Sequence, residues 1–467
     1  MKKSNFWLFI AILIFGIGFH AFTFAEGNEE INNSYRDSGP KNVILLIGDG
    51  MGMGQIEIAR QMEYGKEGRL FLESLPFVSL VHTSSANYAV TDSAAGGTAL
   101  AIGKKTNNGM IGITADGHES DSILDLFKSH DKKTGVISTN TVTDATPAAF
   151  TASVKNRWTR QNEIARQQLE NKVDVLLGGG ADFFRADRQN GRDLIKEAIH
   201  DGYTFVSTRD ELLAAKGNRM LGLFHPSYMS FKLDRKLLRS QEPSLKEMTE
   251  IAIEFLSKGE KGFFLMSEGA RIDHASHAAD LTSVWKEVIE FDNAVKYAVN
   301  WARREGNTLV LVVADHETMG ISATEPLNIE GLKEVKATPE YMVSKFIRKT
   351  NSLEFEPNSV QNTVKKYANI ELTADEMTLL NERVKNAQGA VYPQHQAAWV
   401  LGSIIAKHYH AGIADPSIRS ISSSTGGHTA NPIPLFAYGK GAEFFNGVLD
   451  NTDIPKKIAE LMGYEWE

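Results

Sequence analysis

The chain contains no cysteine in its 467 residues. This absence excludes disulfide bonds, thiolate catalysis, zinc sites built from cysteine and attachment of a lipid to a cysteine side chain. Any metal ligand must therefore come from aspartate, glutamate, histidine or hydroxyl groups.

An excess of positive charge is also missing. Lys and Arg number 50 against 58 for Asp and Glu, which gives a net charge of -8 and a pI near 6.0. Nucleic acid is therefore not predicted as a partner, and a phosphorylated substrate would have to be held by local cations. With 42% hydrophobic residues, the chain is long enough for one large globular domain with an insertion, or for two domains.

Long apolar runs are confined to the N-terminus. Two lysines near the start precede an apolar stretch from Phe6 to Phe19, and small residues follow up to Ala25. This order predicts a signal peptide over residues 1–25 that is cleaved after Ala25, hence a periplasmic or secreted protein without a stable membrane span. An uncleaved anchor is the alternative, although the stretch is shorter than the roughly 20 residues that a membrane helix needs.

Strand and helix signals alternate along the body of the chain, after a polar leader over residues 26–40 that we predict to be flexible. Apolar runs predict strands at residues 43–47, 136–138, 173–177, 263–267, 309–314 and 434–438. Helices are predicted between them, among others at residues 55–64 and 283–304. The pattern indicates an α/β fold with a mainly parallel central sheet and helices on both faces.

A segment of different character interrupts this alternation at about residues 321–425. Thr338 before a proline is typical of a helix start, and Thr373 with Glu376 fits a capping box. We predict a largely helical insertion near the C-terminal end of one domain that spans residues 41–467.

Three of the apolar runs end at side chains that can bind a metal. Asp49 follows the first run, Glu268 ends another, and Asp315 with His316 follows a third. Ligands of parallel α/β sheets bind beyond the carboxyl ends of the strands, so these side chains predict one polyanionic pocket. Closely placed carboxylates raise one another's pKa, and bound divalent cations are the simplest remedy.

A candidate nucleophile lies in the segment VTDSAAGGTALAIG. Asp92 and Ser93 are predicted to start a helix, whose N-terminus favours anions such as phosphate, and the small residues that follow would let a ligand approach the backbone. Ser93 would be placed to attack a phosphoryl group. The alternative is that Ser93 is an ordinary helix cap.

A second group of candidate metal ligands lies in SEGARIDHASHAAD. Asp273 and His277 are four residues apart, so a helix would direct both to one ion, and His428 could be the third ligand. A pair at this spacing on an exposed helix is otherwise simply solvated, and a histidine after two glycines is unremarkable by itself. Asp315 and His316 can share one metal only if the strand ends before them.

Together these motifs resemble those of the alkaline phosphatases. They occur in the family's order as GDGMG from Gly48, TDSAA from Thr91, DATPAA from Asp144 with Arg157 beyond it, EGARIDHASH from Glu268, ADHE from Ala314 and GGHT from Gly426. The ordered set is highly specific, whereas each motif alone is weak. The resemblance implies a metal-dependent phosphomonoesterase with two Zn²⁺ and one Mg²⁺ per chain, and a homodimer.

The resemblance also implies a role for each matched residue. Ser93 would be the nucleophile that becomes phosphorylated. One zinc would be bound by Asp273, His277 and His428, the second by Asp49, Asp315, His316 and Ser93, and the magnesium by Asp49, Thr146 and Glu268. Arg157 would bind the phosphate through its planar fork, a geometry that lysine cannot reproduce.

Three positions distinguish this chain within the family. Asp144 agrees with the subgroup that carries aspartate near the magnesium, whereas other members carry histidine. His274 stands where a well-known bacterial type has lysine, so we expect it to contact phosphate and to lose charge near neutral pH. Met319 stands where many relatives have glycine.

Other functions stay open at this stage. A phosphodiesterase or sulfatase would share the metal scaffold, and a phosphomutase would share the metal and serine arrangement but return phosphate to an organic acceptor. A binding protein without catalysis would form no phosphoenzyme. The small phosphomonoester that serves as substrate is not indicated by the motifs.

Overall fold

A computed structural model of the chain describes residues 39–382, 394–419 and 425–466. The predicted signal peptide and nearly all of the predicted leader lie outside these residues. No helix in the described ranges is long and apolar enough to cross a membrane.

Ten of the described strands form one sheet in the order β12-β2-β11-β8-β1-β7-β3-β4-β6-β5, and β9 pairs with β10 in a second, two-stranded sheet. The strands are β1 (Asn42–Gly48), β2 (Phe77–His82), β3 (Lys133–Thr141), β4 (Val175–Gly179), β5 (Thr204–Val206), β6 (Met220–Leu223), β7 (Phe263–Gly269), β8 (Thr308–Val313), β9 (Glu317–Thr318), β10 (His428–Thr429), β11 (Ile433–Gly439) and β12 (Gly447–Asp450). The seven strands from β8 to β5 in the sheet order are parallel, and β11 runs antiparallel to both of its neighbours. The predicted mainly parallel α/β sheet is thus confirmed.

Helices connect and cover the strands. They are α1 (Met53–Tyr64), α2 (Ser93–Ile102), α3 (Ile123–Ser129), α4 (Ala145–Ala149), α5 (Gln161–Asn171), α6 (Leu194–His200), α7 (Arg209–Ala214), α8 (Arg235–Leu238), α9 (Leu245–Leu256), α10 (Arg271–His277), α11 (Leu281–Glu305), α12 (Ile329–Lys333), α13 (Pro339–Ser344), α14 (Pro357–Ala368), α15 (Ala374–Glu382), α16 (Gln394–His408) and α17 (Asp453–Met462). Every residue of β1, β7 and β8 is buried, as expected for strands with helices on both faces.

The predicted elements agree with the observed ones except at their ends. The strand predicted at residues 173–177 is shifted to Val175–Gly179, so it includes two glycines. A Cβ on Gly178 would lie 2.7 Å from the carbonyl oxygen of Ser138, and one on Gly179 would lie 2.1 Å from that of Ser227. The strand extends there because only glycine permits such close backbone packing.

The region of the predicted insertion is helical, with α12 to α16 inside it. Thr338 caps α13 by accepting a hydrogen bond from the Tyr341 amide, and Thr373 forms the predicted capping box with Glu376. The exact boundaries of an insertion remain a prediction, but these helices contribute side chains to the cavity described below.

Candidate active site

Three carboxylates meet at the carboxyl end of the sheet because β8, β1 and β7 are neighbours. In the register, Ile47 of β1 lies beside both Glu268 of β7 and Val313 of β8. Asp49 follows β1 directly, Asp315 follows β8 after Ala314, and all three acidic side chains are buried. The structure therefore brings together the side chains that the strand ends predicted.

Burial is the main cause of the raised pKa values of the carboxyl groups in this pocket. It raises the pKa of Asp49 well above its ordinary value, and the charges of Asp315, Asp273 and Glu268 raise it further. Burial also raises the pKa of Glu268 to about 8, although Ser138 donates a hydrogen bond to it. Desolvation is therefore the largest contribution to the raised pKa values. Mutual repulsion, the cause that the sequence suggested, is the second.

Ser93 is the first residue of α2 but not its cap. The Asp92 carboxylate accepts the hydrogen bond of the Ala95 amide at 3.0 Å and caps the helix. The alternative interpretation of Ser93 as an ordinary cap is therefore wrong, and its hydroxyl is available for other contacts at a helix N-terminus.

The Ser93 hydroxyl contacts a cluster of one imidazole and two carboxylates. Its Oγ lies 3.2 Å from Nε2 of His316, which is 3.4 Å from Oδ1 of Asp49 and 3.3 Å from Oδ2 of Asp315. Because β8 ends at Val313, Asp315 and His316 lie beyond the regular strand and can both face this point. Ligating atoms of Asp49, Asp315 and His316 lie within 4.8 Å of one another.

The small residues after Ser93 serve packing within the protein. A Cβ on Gly96 would lie 2.9 Å from the carbonyl oxygen of Asp315, and one on Gly97 would lie 3.1 Å from the Cα of Thr146. These two glycines therefore face other parts of the protein, and the approach of a ligand to the backbone at the start of α2 stays a prediction. They let α2 lie directly against the strand end and the helix that carry the other polar groups.

The second predicted set of ligands also converges. Asp273 and His277 lie on α10, and the pairing of β10 with β9 places His428 beside Thr318. The His277 Nε2 is 3.2 Å from Oδ2 of Asp273, and the His428 Nε2 is 3.6 Å from Oδ1 of Asp273. A residue that is 151 positions away in the sequence from His277 thus completes the group.

Backbone carbonyls determine which nitrogen of each histidine faces this group. The Nδ1–H of His277 donates to the Gly426 carbonyl, and that of His428 donates to the Thr91 carbonyl, both at 3.0 Å. In neutral rings, the form that binds a metal, the two Nε2 atoms then carry lone pairs, and they lie only 3.2 Å apart. Such a pair repels unless a cation binds both, and a carbonyl partner on the other nitrogen is typical of histidines that bind metals.

The two clusters are contiguous. The rings of His316 and His428 stack with centroids 3.6 Å apart, and ligating atoms of Asp273, His316 and His428 lie within 4.8 Å of one another. Burial, followed by the charge of His316, lowers the pKa of His428 well below its ordinary value, so the ring is neutral as a metal ligand must be.

A third group surrounds Glu268. Thr146 on α4 directs a buried hydroxyl toward Glu268 without a hydrogen bond of good geometry in the described ranges. Oδ1 of Asp49 and Oδ2 of Asp315 also accept no hydrogen bond of good geometry there, and the His316 ring lies near them. Buried oxygens that are so poorly satisfied are costly, and together with Glu268 they are the donor type that hard divalent cations prefer. The residues present therefore fit metal ions.

Two polar residues that donate hydrogen bonds to this group were not indicated by the sequence motifs. Ser138 donates to Glu268, and Asn140 donates to Asp144 at 2.6 Å. Both lie at the carboxyl end of β3, the sheet neighbour of β7. The polar residues STN at the end of that apolar run are the sequence feature that could have indicated them.

Arg157 is held in place by two of the predicted acidic residues. Its NH1 lies 3.3 Å from Oδ2 of Asp92, its NH2 lies 3.2 Å from Oδ1 of Asp144, and only 5% of the residue is exposed. Burial by itself lowers the pKa of Arg157, but Asp144 and Asp92 raise it above its ordinary value. A charged, oriented guanidinium therefore borders the same cavity as Ser93.

His274 lies in this cavity, but its charge differs from the expectation. Burial, together with Arg271, lowers the pKa of His274 to about 3, so the ring is neutral at neutral pH. Its Nδ1 accepts a hydrogen bond from NH1 of Arg271, which leaves the ring proton on Nε2. The predicted loss of charge near neutral pH is therefore wrong, because burial, and after it the charge of Arg271, keeps the ring neutral well below that pH.

The cavity has a volume of about 540 Å³ and extends from Ser93 toward the helices α13 and α16. The part of the cavity away from Ser93 is lined largely by aromatic side chains. The sequence motifs did not indicate these residues, except that Arg271 and His274 belong to EGARIDHASH. The lining residues of this outer part are Trp158, Phe183, Tyr228, Phe231, Arg271, Glu340, His395 and Trp399. They lie on separate elements, so no local motif indicates them.

The backbone at Met319 lies in the left-handed region, which favours glycine. Met319 has a φ of +64°, which L side chains rarely adopt, and its amide donates to the Gly427 carbonyl at 2.8 Å. Its side chain is fully buried. Met319 thus joins the two loops that carry His316 and His428.

Comparison with known proteins agrees with this geometry. The family model described as alkaline phosphatase matches residues 40–464. Alkaline phosphatase 4 of Bacillus subtilis is 33% identical over 98% of this chain and 97% of its own length, and alkaline phosphatase 3 of the same bacterium is 35% identical over 91% and 89%.

Solved structures show the same fold. Thermus thermophilus alkaline phosphatase has a TM-score of 0.81 at 28% identity, over 92% of this chain and 93% of that chain. A mutant alkaline phosphatase of the Antarctic bacterium TAB5, in which aspartate replaces a histidine and Mg is bound in the M3 site, has a TM-score of 0.66 at 30% identity, over 92% and 99%. The chain described here belongs to the alkaline phosphatase family and is a phosphatase.

Proposed function

We propose that the protein is an exported, metal-dependent phosphatase that hydrolyses small phosphate monoesters through a phosphoserine at Ser93. The observation that carries this proposal is the position of the Ser93 Oγ at the start of a buried helix, 3.2 Å from the His316 Nε2 and in one cavity with Arg157. A nucleophile, a phosphate-binding cation and a set of metal ligands thus border the same space.

The family resemblance suggests the metal ligands, and their contacts support the suggestion. Asp273, His277 and His428 would hold one zinc, and Asp49, Asp315 and His316 with Ser93 would hold the second. Asp49, Glu268 and Thr146 would hold magnesium, with Asp144 close by. The magnesium of the TAB5 mutant, in which an aspartate was introduced, supports an aspartate in this chain at such a site.

When bound there, such ions lower the pKa of hydroxyl and water ligands and neutralise charge on phosphate oxygens. The planar fork of Arg157 binds two non-bridging phosphate oxygens and aligns the ester. Oγ of Ser93 loses its proton and forms a bond to phosphorus as the ester P–O bond breaks, and the leaving alkoxide takes up a proton and departs as the alcohol. Water then hydrolyses the phosphoserine, which releases inorganic phosphate and restores the hydroxyl.

Export and assembly belong to the same proposal. The N-terminal sequence supports secretion or a periplasmic location after cleavage behind Ala25, and the family resemblance supports a homodimer. Phosphodiesterase, sulfatase and phosphomutase activities are the alternatives on such a scaffold, and a binding protein is the alternative without catalysis.

Aryl phosphate substrates separate the monoesterase from the diesterase. The purified mature protein is expected to hydrolyse an aryl monoester faster than the corresponding diester, and a chelator is expected to abolish both activities. Restoration by Zn²⁺ with Mg²⁺, alongside metal analysis, would identify the cofactors. Faster diester hydrolysis, or activity that does not respond to chelation, would contradict the proposal.

A phosphoserine is tested by trapping. Acid quenching with labelled phosphate is expected to leave one label on Ser93, because the phosphoserine also forms in reverse from the Ser93 hydroxyl and inorganic phosphate, with loss of water. Ser93→Ala should lose the label and lower kcat by ~10³-fold or more. Ser129→Ala, a change of an exposed serine on α3, should retain both. Full activity in Ser93→Ala would contradict a mechanism through phosphoserine.

A further inference from the structure

Arg271 is a buried cation whose hydrogen bonds are incompletely used. Only 3% of the residue is exposed, and its Nε has no hydrogen-bond partner in the part of the chain that the structure describes. Its NH1 donates to Nδ1 of His274, a neutral ring. Its NH2 lies 3.7 Å from Oε2 of Glu340, which is too far for a hydrogen bond.

Aromatic rings hold the guanidinium in place. Its central carbon lies 3.6 Å from the centroid of Phe231 and 4.8 Å from that of Tyr228. Such contacts orient a planar cation and attract it, but they supply no hydrogen-bond acceptor. The fork is therefore fixed in position at the wall of the cavity that contains Ser93.

Nearby carboxylates do not provide the missing acceptor. The Asp234 carboxylate is occupied by the amide and hydroxyl of Thr338, at 3.0 and 2.6 Å. Glu287 accepts from the Lys232 amide at 2.6 Å. The Glu340 side chain is 44% exposed, so water screens it from the guanidinium.

Arg271 is also separate in role from Arg157. Arg157 is bound by two carboxylates and, in the proposed function, receives the phosphate that is transferred. A second buried guanidinium in the same cavity is stabilised best by a second anion, because charge-assisted hydrogen bonds offset the cost of removing the ion from water.

We propose that Arg271 determines specificity by binding a second anionic group, a carboxylate or a phosphate, on the alcohol part of the phosphomonoester. This inference rests on the proposed monoesterase function. It identifies the substrates as monoesters with two anionic groups, and the aromatic wall of Tyr228 and Trp399 suits an alcohol part with a planar ring.

Matched aryl monoesters test the inference. The substrates are phenyl phosphates with a para-carboxylate, a para-phosphonate or a neutral para-carbamoyl group, and the readout is each charged-to-neutral ratio of kcat/KM. In the native enzyme at least one of these ratios should be roughly ten, mainly because the charged substrate has a lower KM. The carboxylate and phosphonate arms distinguish the two kinds of anion.

Variants then assign the preference to Arg271. Arg271→Gln should bring the charged-to-neutral ratio close to one. Arg271→Lys should keep part of the preference for the charged substrate, because the charge remains without the fork.

Glu340→Gln should raise the ratio, since a competing negative charge is removed, and this exposed change does not threaten folding. Arg160→Gln, which removes a 61% exposed arginine near the cavity, should leave the ratio unchanged.

The outcomes distinguish a failure of the role of Arg271 from a failure of the proposed monoesterase function. Native ratios near one, or ratios that Arg271→Gln and Glu340→Gln leave unchanged, overturn the role of Arg271. An equal loss on all three substrates also overturns it, because Arg271 would then act only by positioning His274. Failure of the native enzyme to hydrolyse even the neutral monoester would instead refute the proposed function.

Discussion

At the scale of single residues, the site depends on how each functional group is held by a neighbour. His277 and His428 donate their Nδ1–H groups to backbone carbonyls, and the Asp92 and Asp144 carboxylates hold Arg157. Each of these contacts determines an orientation before any ligand binds. Activity should therefore be sensitive to geometry as well as to charge.

Arg157 allows charge and geometry to be separated. Arg157→Lys keeps the positive charge but loses the planar fork that bonds two oxygens, so we expect kcat/KM for an aryl monoester to fall by ~10- to 100-fold. Arg157→Gln should reduce it further. Arg160→Lys, the same change at an exposed position three residues away, should have no effect, and steady-state kinetics would show whether Arg157→Lys behaves like this control.

At the scale of elements, α2 places the nucleophile because it lies against other polar segments. Its ten residues are all buried, and Gly96 and Gly97 face the backbone of Asp315 and Thr146. The distance between Ser93 and the carboxylate cluster therefore depends on how closely a helix can approach a strand end.

Two alanine substitutions on α2 test this dependence. Both gain about 1 kcal/mol of intrinsic helix propensity, so a difference between them reports packing. Gly96→Ala places a Cβ 2.9 Å from a backbone oxygen, and we expect it to lower both kcat and the free energy of unfolding. Gly97→Ala, with its nearest contact at 3.1 Å, should have the smaller effect on both. The reverse order in kinetics and urea unfolding would contradict this account.

At the scale of the whole molecule, many acidic groups are buried and change the dependence of stability on pH. Burial raises the pKa of Asp292 on α11 to about 6, although the amides of Leu72 and Phe71 donate hydrogen bonds to it. A raised pKa means that the folded state binds the proton more tightly. The contribution to stability is complete below the ordinary pKa of 3.8 and is lost as pH rises through about 6.

Asp292→Asn should therefore change the pH profile of stability in a predictable direction. The unfolding free energy of the native protein minus that of Asp292→Asn should fall between about pH 4 and pH 7, by roughly 3 kcal/mol at most. Metal binding affects both proteins equally and cancels in the difference.

Asp131→Asn provides a control of opposite sign. A hydrogen bond from Lys261 lowers the pKa of this exposed carboxylate below its ordinary value of 3.8, so the corresponding difference should rise with pH, mainly below that value, and stay nearly constant above it. Urea unfolding of the three proteins from about pH 2 to pH 7 measures both trends. A difference for Asp292→Asn that stays constant with pH would contradict the assignment.

Much of the fold and site was predictable because it depends on local pattern and on one rule of topology. Buried parallel strands are continuously apolar, so Asp49, Glu268 and Asp315 were visible as polar residues at strand ends. The short outer strands, such as β5 and β12, were not predicted, because three or four residues carry too little periodicity.

The sequence by itself determined the class of fold, the family and the identity of the groups that can do chemistry, since these follow from residue order, spacing and side-chain type. Only the tertiary structure decided which groups meet. The pairing of β9 with β10 joins His428 to a helix far away in the chain, and separate elements surround Arg271 with aromatic rings. It also decided that desolvation, more than repulsion, raises the pKa of the carboxylates, because burial depends on the packing of the whole molecule.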